Sequence, residues 1–156
     1  GITQDDNPMC AAFNVALAAV ESGDEVEMFF DAGAVFDLQD APTRGSSEGT
    51  TSQPSSQPAA GQGPAYNLKY ELPEKLKGIL AQQFGIPVAQ LPATYFDYLE
   101  MLKAKGVEVT FNGAMAHLVS LSDSATGTEA VTDLATPLEL KQVLEHRARA
   151  QVYLVY

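Results

Sequence analysis

Residues 5–33 read Asp-Asp-Asn-Pro-Met-Cys-Ala-Ala-Phe-Asn-Val-Ala-Leu-Ala-Ala-Val-Glu-Ser-Gly-Asp-Glu-Val-Glu-Met-Phe-Phe-Asp-Ala-Gly, and the order of signals in this stretch decides the fold class. Asp5, Asp6 and Asn7 are cap candidates just before Pro8, whose missing N–H costs nothing at the start of a helix. Met9, Phe13, Ala16, Leu17 and Val20 then recur on one helical face, and Ser22-Gly23 supplies the stop. Residues 25–30 follow as a short strand whose end is wholly apolar, broken by Asp31-Ala32-Gly33. Helix, glycine turn and strand together set the rhythm of an α/β domain.

The rhythm continues down the chain. Residues 34–38 fit a short helix over the strand end. Leu76, Ile79, Leu80 and Phe84 mark a helix at 72–84 ended by Gly85, and Tyr95, Tyr98, Leu99 and Leu102 mark another at 94–105. After Gly106, residues 107–111 alternate as a strand should and stop at Asn112-Gly113. A short helix is expected at 114–121, a polar loop at 122–128 and a brief strand at 130–132. A last helix is expected to start at Thr136-Pro137 with Leu138, Leu140, Val143 and Leu144 facing inward, and the closing Gln-Val-Tyr-Leu-Val-Tyr at 151–156 reads as a strong strand. Such alternation predicts a mostly parallel sheet covered on both faces, with ligand-accessible loops at the strands' C-terminal ends.

Residues 43–64 break the pattern. They hold Ser, Thr, Gln, Gly and Pro and almost no large apolar side chain, too little to offset the entropy of ordering them, and they read as a mobile inserted loop. The 156 residues have the length of one domain, 1–156, that carries this insertion. Twenty acidic against nine basic side chains give a net charge of -11, which repels nucleic acid and anionic membranes. The only cysteine, Cys10, excludes an intramolecular disulfide and points to the cytoplasm. No apolar run reaches the roughly 18 residues needed to span a bilayer.

No dinucleotide-binding, P-loop or nucleophile-elbow motif is present, so those classes are set aside and no cofactor is expected. His117 and His146, with one cysteine to join them, are too far apart in sequence to suggest a metal site. Cys10 falls in the expected first turn of the first helix, where free backbone N–H groups favour a thiolate; as a small residue beside Met9 and Phe13 it is equally a packing group. Asp31 and Asn112 each follow a strand directly, a position that projects into the crevice above a parallel sheet, although both residue types also serve ordinary turns. His117, one turn further on, adds a titratable group. The candidate ligand-binding residues are therefore Cys10, Asp31, Asn112 and His117.

The run at 5–33, and the later run Leu-Lys-Ala-Lys-Gly-Val-Glu-Val-Thr-Phe-Asn-Gly-Ala at 102–114, resemble the DsrE family of small sulfur-relay and accessory proteins. The resemblance implies a flavodoxin-like three-layer sandwich, a homo-oligomer such as a trimer or hexamer, and in some members a persulfide-carrying cysteine after the strand that matches 107–111. Asn112 stands at that position here and cannot carry a persulfide, so the resemblance implies an accessory or small-ligand-binding protein. The alternatives are a sulfur-relay protein that uses Cys10 as acceptor and a purely structural oligomer subunit. Family members enter their first helix from a central strand, which the sequence from Gly1 does not contain. Two placements of 151–156 are open. In the first, this segment fills the central slot between 25–30 and 107–111 and the chain is in effect circularly permuted; in the second, it is an edge strand.

Overall fold

The first helix, α1 (Asp6–Glu21), forms along the apolar stripe of the sequence: Phe13, Ala16 and Leu17 are buried, with Met9 and Val20 half-buried at its margin. The chain leaves α1 through Gly23, whose φ of 93° is open to glycine without a steric penalty. The computed structural model describes residues 6–39, 68 and 70–155; the insertion expected at 43–64 lies outside the described residues.

Among the described residues three strands follow one another in a single parallel sheet of order β1-β2-β3: β1 (Glu27–Phe30), β2 (Glu108–Asn112) and β3 (Thr136–Leu138). Glu27 lies opposite Glu108 and Phe30 opposite Phe111, while Thr110 and Asn112 lie opposite Thr136 and Leu138. Because side chains alternate along a strand, this register sorts them by face. Met28, Phe30, Val109 and Phe111 enter the main core with Phe13 and Leu17 of α1. Glu27, Phe29, Glu108, Thr110 and Asn112 take the opposite face, which is polar yet buries Thr110 and Asn112.

The core face is covered by α1 and by α3 (Tyr95–Ala104), which contributes Tyr95, Tyr98, Leu99 and Leu102. Phe13 meets Tyr95 and Tyr98 edge-on, at centroid distances of 5.5 and 5.3 Å. Each large apolar side chain buried here contributes about 2 kcal/mol. Before α3 comes α2 (Glu74–Phe84), which buries Leu76 and Leu80 and ends at Gly85 in the left-handed region. A 3-10 helix, Ala32–Leu38, follows β1 and buries Val35 and Leu38; the short α4 (Gly113–Leu118) follows β2. The other face carries α5 (Leu140–Arg149), which packs on β3 and reaches back to β1. The chain is thus a mixed α/β protein with an open, all-parallel sheet. Among the described residues no helix is long and apolar enough to cross a membrane.

Several expectations are corrected. Thr136-Pro137-Leu138 is a strand, and α5 starts only after Glu139; Pro137 lies on an edge strand, where a missing N–H need not cost a ladder bond. Of the four residues expected to face inward, Leu138 and Val143 are buried, but Leu140 and Leu144 are 60% and 66% exposed. Residues 130–132 form no sheet strand, and Val131 makes only an isolated antiparallel bridge to Gln39. Residues 151–155 form no strand either, and β1 pairs directly with β2, which leaves no slot between them. The circular permutation is therefore wrong, and the edge-strand placement fails with it.

Candidate functional site

On the outer side of β1, the described residues enclose a groove of about 1770 Å³ between α1, β1 and residues 150–155. Glu27, Asp31, Glu108, His146 and Arg147 all line it. They come from the polar face of the sheet and from α5, and they form two connected groups.

The first group sits at the C-terminal ends of β1 and β2. Asp31 caps the 3-10 helix: its Oδ1 accepts from the Ala32 N–H at 2.8 Å and from the Asn112 amide at 2.9 Å. Asn112 caps α4, its Oδ1 accepting from the Met115 N–H at 3.2 Å. Both ends of this buried amide are therefore engaged, and Asn112 holds Asp31 in place from behind. The free Asp31 Oδ2 faces the Arg147 guanidinium at 3.6 Å. Arg147 also lies over the rings of Phe29 at 5.9 Å and Tyr153 at 5.3 Å, within cation–π range. Ala32 adopts a φ of 49°, a left-handed conformation that L residues seldom take, directly beside Asp31.

The second group lies at the other end of the same strands. Glu27 Oε1 accepts from the buried Thr110 hydroxyl at 2.5 Å, and the His146 Nδ1 is 2.9 and 3.0 Å from the two Glu27 carboxylate oxygens. Glu108 stands beside Glu27 in the register, and Glu27, Glu108 and His146 each offer one ligand-type atom within 4.8 Å of the others. His146 thus contacts the Glu27 carboxylate with Glu108 close by, while His117 stands elsewhere.

Of the four sequence candidates, Asp31 and Asn112 are brought together. Cys10 is not: it is the fifth residue of α1, past the first turn, on the helix that covers the opposite face of the sheet. It accepts a 3.5 Å hydrogen bond from Asn14, whose Oδ1 accepts from the Tyr98 hydroxyl at 3.0 Å. His117 stands apart as well, its Nδ1 3.0 Å from the Ser122 carbonyl oxygen.

The sequence reading missed Glu27, Glu108, His146 and Arg147. A signal for the carboxylates was present, since Val-Glu-Met at 26–28 and Val-Glu-Val at 107–109 put a glutamate at matching places in two strands that pair in parallel. It missed Asp37 too, which lines the groove and whose carboxyl burial pushes up to about 7. Here the signal was an acid within the apolar run Ala34-Val35-Phe36-Asp37-Leu38.

The fold and site define an α/β chain with a polar cluster at the ends of a parallel sheet. No protein-family model, curated protein or solved structure matches this chain.

Proposed function

We propose that the chain is an accessory protein of the DsrE-like type, flavodoxin-like in architecture and homo-oligomeric, that binds a small polar ligand in the groove and does not relay sulfur. The observation that carries this reading is the Asn112–Asp31–Arg147 chain at the strand ends. Crevices above the C-terminal ends of parallel strands are the general ligand sites of open α/β sheets. Asn112 fixes Asp31, and Asp31 with Arg147 offers an acceptor and a donor to the groove. At the place where persulfide-carrying relatives hold a cysteine, this chain has an amide already committed at both ends, and Cys10 lies on the far face of the sheet.

Native mass spectrometry of the purified protein tests the reading. A small molecule retained by the wild type and lost from Asp31→Ala and Arg147→Ala is the expected result. A persulfide on Cys10 after exposure to a sulfur donor, with no small molecule retained, would overturn it in favour of sulfur relay.

A further inference from the structure

We propose that Glu27, Glu108 and His146 form a binding site for a divalent transition metal ion on the polar face of the sheet. The inference does not rest on the small-ligand reading, since it uses the opposite end of the strands.

The register provides the first argument. Glu27 and Glu108 are directly opposed in neighbouring parallel strands and share a face, an arrangement in which like charges repel. The protein is acidic, with a net charge of -11, and several of its cations are engaged elsewhere. Lys105 pairs with Glu21, Lys103 donates to the Leu134 carbonyl, and Arg147 faces Asp31. Among the described residues His146 pairs with Glu27 of the two. Among the described residues the Glu108 carboxylate has no ion-pair partner, so the repulsion is offset on one side only.

The second argument is donor chemistry. Two carboxylates and an imidazole suit Zn²⁺ and neighbouring first-row divalent ions, and one ligand from each of β1, β2 and α5 places them on three regular elements. Three protein ligands with the groove in front leave a coordination position for water or a ligand, the arrangement of reactive metal sites and not of closed structural ones. Thr110, wholly buried, donates its hydroxyl to Glu27 and orients that carboxylate from behind, as outer partners of metal ligands do. Binding requires the His146 Nδ1 to exchange its contact with Glu27 for the metal, a small movement because both groups already converge on one point.

The test uses the full chain, stripped with EDTA and titrated with zinc sulfate by calorimetry. The expected result is uptake of one equivalent, weakened at least about tenfold in His146→Gln and in Glu108→Gln and unchanged in His117→Gln. Absence of uptake by the wild type, or equal loss in His117→Gln, overturns the site. Circular dichroism reports whether the variants fold. Should either variant unfold, the absorption of the wild type loaded with Co²⁺ decides. Intense visible bands of four- or five-coordinate cobalt support the site, and only the weak spectrum of the hydrated ion overturns it.

Discussion

Asp37 carries a charge cost that its neighbours do not relieve. Burial raises its carboxyl from 3.8 to about 7, so the folded protein holds a proton there that the unfolded chain has already released. Between pH 4 and 7 the native state therefore binds more protons than the unfolded state, and stability contributed by Asp37 falls as pH rises through that window. Asp37→Asn keeps the size and removes the ionisation. We expect the variant to melt several degrees above the wild type at pH 8 and level with it near pH 4, read by thermal denaturation across the pH range. A wild type whose stability does not fall between these limits would refute the raised carboxyl. Tyr98 gives a second test at this scale. Burial, with Cys10 and Tyr95 adding, pushes its hydroxyl above the usual tyrosine range, which keeps it a hydrogen-bond donor to Asn14. Tyr98→Phe should cost about 1 kcal/mol while the edge-on packing against Phe13 persists, as chemical denaturation will show. A neutral substitution would mean the hydroxyl finds water equally well.

Elements fail or hold through their ends. The start of α3 is fixed by a capping box, in which Thr94 Oγ1 accepts from the Asp97 N–H at 3.2 Å and the Asp97 carboxylate accepts from the Thr94 N–H at 2.9 Å. The helix was legible from the periodicity of Tyr95, Tyr98, Leu99 and Leu102, and the box adds what that periodicity does not carry, a fixed first residue. The start of α5 was not so legible, because Leu138, Leu140, Val143 and Leu144 form a helical stripe on paper, although Leu138 lies in an edge strand and turns inward by strand alternation. The sharpest constraint on an element end lies at Gly113, the first residue of α4. A Cβ there would overlap the backbone carbonyl of Ala125, with the Leu138 carbonyl oxygen 3.4 Å away, and neither is a flexible side-chain end that can step aside. Gly113→Ala should therefore destabilise by roughly 2–4 kcal/mol, despite alanine's better helix propensity. Denaturant titration checks this, and a stabilised variant would show that the 122–125 loop yields.

On the scale of the whole molecule, the α/β rhythm could be read from the chain because periodicity and glycine stops are local signals, and Asp31 and Asn112 followed from it, since parallel strands bring their ends together. Pairing was less legible. Nothing local in Gln-Val-Tyr-Leu-Val-Tyr reveals that β1 and β2 close directly on each other, and the position of His146 and Arg147 over the sheet depends on how α5 crosses from β3 to β1. The exposed apolar residues bear on assembly. Leu140 and Leu144 stand one turn apart on α5, both more than half exposed, and form a short apolar strip on the helix that covers one face of the sheet. The proposed homo-oligomer accounts for them if α5 packs against its counterpart in a second copy. Light scattering coupled to size exclusion should then give the mass of an oligomer for the wild type and a smaller mass for the Leu140→Lys/Leu144→Lys variant. Lysine is a good helix former and neither position is in the core, so the circular dichroism spectrum should stay unchanged. A wild type that elutes as a monomer at micromolar concentration, or a folded variant that keeps the wild-type mass, would remove α5 as the contact between copies.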